Sequence, residues 1–204
     1  MSFANWLTVS PASGSGNQTV GVTGSTYTGR VMRQTVIEVT AANVTPAQVT
    51  IKQKGKNEFV NSNQNAYTQN KEGGTLTIEG KSNSRGLTFS LGTGDLDLTL
   101  PESYTANGET TTNGAAIAGD PGASAEYDWS IQFSIASATT IETKTKQLII
   151  TDDAGHTAVV TISLTGVDAY LTVSVQELTL EADGTPSSFD ITSNTSWTID
   201  GASA

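Results

Sequence analysis

Apolar and polar residues alternate in short segments along the whole chain, and turn sequences rich in Gly, Asn and Asp separate these segments. Near the start the alternation covers residues 5–10, 35–40 and 48–55, and in the middle it covers 95–100 and 127–135. A period of two places alternate side chains on opposite faces of a β-strand, and short strands with frequent turns are typical of β-sandwiches. The pattern therefore predicts an all-β fold of immunoglobulin-like sandwiches.

Similar patterns recur at a near-constant spacing along the chain. Residues 71–91 and 181–199 each combine an acidic-Gly turn, a strand, a Ser-Asn pair and a further strand. Residues 33–55 and 146–166 each end in a V-T-I strand that is followed by Gly. Such a period indicates repeated structural units rather than one large domain.

The two terminal segments carry complementary parts of this unit. Read from 193–204 directly into 1–16, they form one continuous β-module sequence, with Trp197 before the join and Trp6 after it. We therefore predict one complete module and two half-modules that complete a sandwich within or between chains. The predicted bounds are 1–55 for the C-terminal half of a module, 56–166 for the complete module and 167–204 for the N-terminal half of a module.

Half a sandwich leaves an apolar face and strand edges open to water. Burying each large apolar side chain contributes roughly 1.5–3 kcal/mol, so the two halves are expected to pair. Little slack follows Gly166, which favours pairing between chains, although the segment 56–72 is long enough to leave closure within one chain open. The predicted junction consists of Trp6, Leu7, Ile37, Val39, Val49, Ile51, Leu178, Leu180, Phe189, Ile191, Trp197 and Ile199.

Charge is distributed unevenly over a chain whose net charge is −10. Residues 1–57 carry five Lys or Arg and one Glu, for a net charge of +4. Residues 167–204 carry six acidic residues and no basic one, for −6. Opposite charges on the two ends favour head-to-tail contact between copies, and the acidic total argues against nucleic acid as a partner.

Several local sequences resemble BACON domains, immunoglobulin-like modules found in proteins of gut Bacteroidota and their phages. WLTVSPASGSGNQTVGVTG, Arg33 ahead of TVIEVT, and VTIKQKG are similar to the second half of that module. LTVSVQELTLEADGTPSSFDITSNTSWTID, at 171–200, resembles the first half. The resemblance implies a binding or assembly role and covers about 90 of the 204 residues.

Residues capable of chemistry are few. His156 is the only histidine, and there is no cysteine. The pairs Asp95/Asp97 and Asp152/Asp153 could contribute to a Ca²⁺ site, but they lack a regular ligand spacing, and turn residues explain them better. No G-x-S-x-G sequence supports a serine hydrolase. We therefore predict no enzyme activity, no cofactor and no metal site.

The aromatic residues bear on sugar binding, which needs exposed aromatic platforms. Trp129 alternates with apolar residues, which predicts that it lies in the core. Tyr27, Tyr67 and Tyr104 lie in loop-like stretches and are the candidate platforms. The polar stretch 101–124 is expected to be a long loop.

These features together predict a structural protein. Our first expectation is a phage virion component, such as a capsid-decorating, head-fibre or tail-associated protein, that contacts other copies of itself and other virion proteins. Residues 1–20 lack the features of a secretory signal, and no segment is apolar enough to span a membrane, which fits a particle assembled in a host cytoplasm. The alternatives are a module that binds a cell-surface glycan in a bacterial glycan-handling system, and an extracellular filament subunit.

Overall fold

The computed structural model describes residues 3–201 and confirms an all-β protein. The described residues form fifteen strands in five separate sheets, with one short 3-10 turn at Pro121–Ala123. None of the residues 3–201 forms a helix long and apolar enough to cross a membrane. The outermost residues of the predicted terminal half-modules, 1–2 and 202–204, lie outside the described range.

The N-terminal part consists of two antiparallel hairpin sheets, in which β1 pairs with β2 and β3 pairs with β4. Short alternating segments with intervening Gly/Pro/Ser turns produce these strands. The strands are β1 (Leu7–Ser10), β2 (Gly21–Gly24), β3 (Arg33–Val39) and β4 (Ala47–Gln53).

Two larger sheets follow and pack face to face. The strands are β5 (Val60–Ser62), β6 (Ala66–Gln69), β7 (Gly74–Ser82), β8 (Leu87–Gly94), β9 (Ser103–Ala106), β10 (Glu109–Thr112), β11 (Tyr127–Ile135), β12 (Lys144–Asp152) and β13 (Thr157–Leu164). One sheet has the strand order β10-β9-β11-β7-β5, and the other has the order β6-β13-β12-β8. All pairings in these sheets are antiparallel except that of β13 with β6.

The core lies between these two sheets. Strict alternation on β11 turns Trp129, Ile131 and Phe133 inward, and each is about 1% exposed. Phe89 packs against Trp129 edge to face, with ring centroids 5.5 Å apart. The ring centroid of Tyr104 lies 4.8 Å from that of Phe89. The predicted core position of Trp129 is therefore confirmed.

The C-terminal part contains one small antiparallel sheet, in which β14 (Leu171–Val173) pairs with β15 (Ile191–Ser193). Within residues 3–201 no β-ladder joins this sheet to β1–β4.

The segment 95–100 alternates strictly but is not a strand. Leu96 and Leu98 are buried against the core, and the Asp95 carboxylate and the Leu96 N–H bond to the backbone of Thr145. Beyond this point the segment joins no ladder within residues 3–201. Its alternation therefore reflects burial of alternate side chains rather than strand pairing.

The stretch 101–124 is largely ordered, contrary to the predicted loop. It contains the hairpin β9–β10, whose two-residue turn is Asn107-Gly108. Both turn residues have positive φ, 51° and 82°, which is the conformation that Asn-Gly favours in tight hairpins. Tyr104 on β9 is buried, so its prediction as a loop residue and an exposed sugar platform is wrong.

Candidate assembly surfaces

The hairpin β3–β4 presents an apolar face with exposed side chains, and no further strand among residues 3–201 extends this two-stranded sheet. Val39 and Val49 are exposed on it, and Ile37 and Ile51 are half-buried. The N-terminal part also exposes Val22 on β2. A sheet with one bare apolar face is stable only when a second layer covers it.

The C-terminal part presents a groove of about 410 Å³, which apolar side chains line together with Ser187, Ser188 and Asp190. Leu178, Phe189, Trp197 and Ile199 line it, and all four are exposed. Leu180 is also exposed, and Ile191 is half-buried. Contiguous exposed apolar side chains of this kind mark interaction sites more often than plain surface.

The C-terminal sheet reproduces a part of the sandwich residue for residue. In the sandwich β5 pairs with β7, so that Val60 lies opposite Ser82. In the C-terminal sheet β14 pairs with β15, so that Leu171 lies opposite Ser193. Both members of the second pair lie 111 positions after their counterparts, and the rest of the ladder keeps this displacement.

An asparagine makes the same hydrogen bonds in both places. Asn83 accepts from the Phe59 N–H at 3.0 Å and donates to the carbonyl two positions before Phe59 at 3.2 Å. Asn194 accepts from the Tyr170 N–H at 2.9 Å and donates to the carbonyl two positions before Tyr170 at 2.9 Å. Side-chain bonds with the same displacement show that local structure, as well as sequence, is repeated.

The N-terminal hairpin reproduces a different part of the sandwich. Ile37 lies opposite Val49 in the β3–β4 ladder, and Leu148 lies opposite Val160 in the β12–β13 ladder. Leu148 and Val160 lie 111 positions after Ile37 and Val49, and the other pairs of the two ladders keep this displacement. The same number relates the C-terminal sheet to the sandwich. The two terminal parts therefore contain strands of different, complementary kinds.

Corresponding positions differ sharply in exposure. Val49 is 46% exposed, whereas Val160 is fully buried. Phe189 is 42% exposed, whereas its counterpart Ile78 is fully buried. Val49 and Phe189 therefore occupy positions that are core positions in the middle sandwich.

A polar joint connects the N-terminal part to the sandwich. The Arg30 guanidinium donates two hydrogen bonds of 2.6 Å to the Asp120 carboxylate. This pairing lowers the pKa of Asp120 and raises that of Arg30. Beside it, the N–H groups of Arg30 and Val31 donate to the carbonyls of Gly122 and Ala123. The bidentate pair and the backbone bonds together fix the hairpins against the 3-10 turn.

A corresponding joint connects the sandwich to the C-terminal part. The Lys56 N–H donates to the Gly29 carbonyl at 2.8 Å, and the Val167 N–H donates to the Thr140 carbonyl at 2.8 Å. Val167 and Thr140 lie 111 positions after Lys56 and Gly29, which is the displacement seen in the ladders. A side-chain pair between Lys71 and Asp168 adds to this second joint and raises the pKa of Lys71. Successive units are therefore linked by the same backbone geometry.

Trp6 and Leu7 contribute within the N-terminal part. The Arg33 guanidinium lies 4.6 Å from the Trp6 ring centroid and 4.2 Å from that of Tyr27, which half-buries Trp6. Leu7 on β1 is buried. Of the other ten predicted junction residues, four lie on the open β3–β4 face, five line the C-terminal groove, and Leu180 is exposed outside that lining. The structure groups them by end but does not join the ends, so the junction itself stays a prediction.

The other candidate residues have local partners. The Asp152 carboxylate accepts from the His156 N–H and lies 2.8 Å from its Nδ1, so this pair closes the β12–β13 turn. The Tyr27 hydroxyl lies 2.7 Å from the Val31 carbonyl oxygen and 3.0 Å from that of Ala123, and its single hydrogen is shared between them; Tyr67 packs against the core. Among residues 3–201 no three His, Cys, Asp or Glu side chains lie close enough to hold a metal ion.

Sequence reasoning did not include Val20, Val22, Leu171 and Val173 in the junction, although all four are exposed, three on the terminal sheets and Val20 directly before β2. Their alternation within short strands was a usable signal. Sequence reasoning also did not find the pair of Arg30 with Asp120, because residues 90 positions apart leave no local pattern.

Residues 1–54 match the family model of the BACON domain, whose description is "Putative binding domain, N-terminal". No curated protein matches the chain. The matched segment contains β1–β4 and extends to the residue after β4. The description is compatible with a non-enzymatic binding role. The BACON resemblance predicted from the sequence is therefore confirmed for residues 1–54.

Proposed function

We propose that this protein is a non-enzymatic assembly subunit in which the C-terminal half-module of one copy completes the N-terminal half-module of the next. The observation that carries the proposal is the pair of open apolar faces, one at each end, on which Val49 and Phe189 correspond to the buried Val160 and Ile78 of the middle sandwich. Each face lacks the kind of strands that the other supplies.

Charge supports contact between unlike ends. Residues 1–57 carry +4 and residues 167–204 carry −6, so unlike ends attract and like ends repel. A contact between two different surfaces of identical subunits is heterologous, and it produces rings or open filaments. We propose a phage virion as the setting, because modules of the resembled family occur in gut phages; mass spectrometry of purified particles would test this setting.

The assembly itself is tested with matched charge substitutions. Val49 on the open face and Val159 on the outer side of β13 are 46% and 45% exposed. Val49→Asp places a charge in the completed core, whereas Val159→Asp places it in water. On the other face, Phe189→Asp is matched by Thr192→Asp, because Thr192 corresponds to the exposed Lys81.

Sedimentation should show concentration-dependent multimers for the unsubstituted chain and for the two control variants. Val49→Asp and Phe189→Asp should each be monomeric, because each variant has lost one face. A mixture of the two should give a one-to-one dimer, since the intact C-terminal face of Val49→Asp meets the intact N-terminal face of Phe189→Asp. A compact monomer for the unsubstituted chain at micromolar concentration would disprove assembly between chains.

A further inference from the structure

We infer that the middle sandwich specifies the strand register of the contact between copies, because it contains both kinds of strand already paired. This inference rests on the assembly proposed above and takes a second copy of the chain as the partner. The pairs that join β11 to β7 and β13 to β6 predict pairs between copies, by subtracting 111 from the first residue number and adding 111 to the second.

The first predicted ladder joins β2 of one copy to the segment leading into β15 of the next. In the sandwich β11 and β7 are antiparallel, and Ile131 lies opposite Ile78. The corresponding residues are Val20 and Phe189, both exposed. β2 and β11 end at corresponding positions, Gly24 and Ile135, and the Gly29 and Thr140 carbonyls five residues further on keep the same displacement in their hydrogen bonds. The ladder continues with position 21 opposite 188, 22 opposite 187, and 24 opposite 185.

Both strand edges that this ladder needs are open. The Ser25 N–H donates to the Trp6 carbonyl at 2.8 Å, so odd-numbered residues of β2 direct their backbone groups toward β1. Even-numbered residues of β2 therefore direct theirs to the opposite edge. The Ser174 N–H donates to the Asp190 carbonyl at 2.9 Å, which leaves the backbone groups of Phe189 directed away from β14. In the sandwich, β11 and β7 pair with each other through the edges that correspond to these two free edges.

The second predicted ladder is parallel and lies in the other sheet. In the sandwich Ile162 on β13 lies opposite Tyr67 on β6. The corresponding residues are Ile51 on β4 and Leu178, so a half-buried isoleucine meets an exposed leucine of the groove.

Charges agree with this second register. Thr50 would lie opposite Glu177, which puts Glu177 diagonally across from Lys52 on the same face. Glu181 would be diagonal to the same Lys52 on its other side. Opposite charges on neighbouring strands stabilise a ladder, and a slip by one position would turn these acidic side chains to the other face.

Cysteine crosslinking tests the register directly, because the chain contains no cysteine. Positions 21 and 188 form a predicted pair that does not exchange backbone hydrogen bonds, with Cα atoms about 4.5 Å apart, which a disulfide can span. Their counterparts lie on the outer side of the sandwich, so substitution leaves the core intact. The test variant is Gly21→Cys with Ser188→Cys, and the matched control is Gly21→Cys with Asp190→Cys, two positions out of register on the same face.

Under mild oxidation the test variant should form disulfide-linked multimers on a non-reducing gel, and the control should form none, because its Cα atoms lie about 7–8 Å apart. Multimers in solution that crosslink through 21 and 190, or through neither pair, would overturn the register and leave the assembly standing. A monomer that crosslinks 21 to 188 within one chain would overturn the assembly and leave the register standing. A monomer without crosslinks would overturn both.

Discussion

Replacement of Trp129 by alanine should strongly destabilise the middle sandwich. Trp129 is 1% exposed and packs edge to face on Phe89. A buried tryptophan removes about 150–250 Å² from water, worth about 4–6 kcal/mol at ~25 cal/mol per Å². The indole N–H has no hydrogen-bond partner among residues 3–201, and removing it offsets about 1–3 kcal/mol of this loss. With the cost of the cavity included, the expected loss is about 3–5 kcal/mol.

Trp129→Phe separates these two contributions. Phenylalanine keeps an aromatic ring beside Phe89 and removes the unpaired N–H, so the expected loss is below about 1.5 kcal/mol. Trp197→Ala is the matched surface control. Trp197 is 49% exposed, so in an unassembled chain its truncation should change stability by no more than about 0.5 kcal/mol.

Urea unfolding followed by far-ultraviolet circular dichroism gives these values from the midpoint and slope. All three changes should be made in the Val49→Asp background, so that assembly does not contribute to stability. A loss below about 1 kcal/mol for Trp129→Ala would show that this side chain does not fill the core. It would also make Trp129 a candidate exposed platform for sugar binding.

Three further predictions concern the joints and the ends. Asn83→Ala should destabilise the sandwich by about 2–3 kcal/mol, because Asn83 is fully buried and its loss leaves the Phe59 N–H without a partner. Asn194→Ala should cost about 1 kcal/mol or less, because Asn194 is half-buried and its partner Tyr170 is 50% exposed; urea unfolding compares the two. The pKa of Asp120 is lowered in the folded chain, so its contribution is complete above the unfolded value of about 3.9 and is lost as the pH falls through the folded value. The joint to the N-terminal part should loosen in that acidic range and not between pH 5 and 7, as measured by proteolysis with an acid-stable protease, and Asp120→Asn should remove the pH dependence. Raising the salt concentration to 1 M shortens the screening length to about 3 Å and should slow multimer formation without abolishing it, as followed by light scattering; an unchanged rate would contradict steering by charge.

Local alternation was sufficient to predict the fold class. Segments such as 127–135 have strict period-two patterns that no helix shares, and their strands form as expected. Alternation alone could not show that 95–100 has no ladder partner, because pairing depends on which edges are free after the sheets assemble. The Asn107-Gly108 pair was a local signal for a hairpin, and it was masked by the polar residues around it.

The candidate surfaces were predictable to a different extent. Residues such as Val49 and Phe189 belong to periodic strands and were assigned to the junction from sequence. The pair of Arg30 with Asp120 was not, because the contact depends on the position of the 3-10 turn relative to a distant strand. The register also required the structure, since similar sequence patterns define the repeat only approximately, and hydrogen bonds at fixed positions define the displacement of 111.

Open apolar sheets ordinarily promote indiscriminate aggregation, so specific assembly needs features that exclude wrong pairs. Like ends carry like charge, which opposes contact between two N-terminal or two C-terminal parts. The two open faces also differ in kind, because β3 and β4 are the counterparts of β12 and β13, whereas β14 and β15 are those of β5 and the end of β7. Two identical halves would bring together strands that are not neighbours in the sandwich. Complementary strands and complementary charge therefore favour the same head-to-tail contact, and agreement between independent features is what distinguishes a specific interface from an adhesive surface.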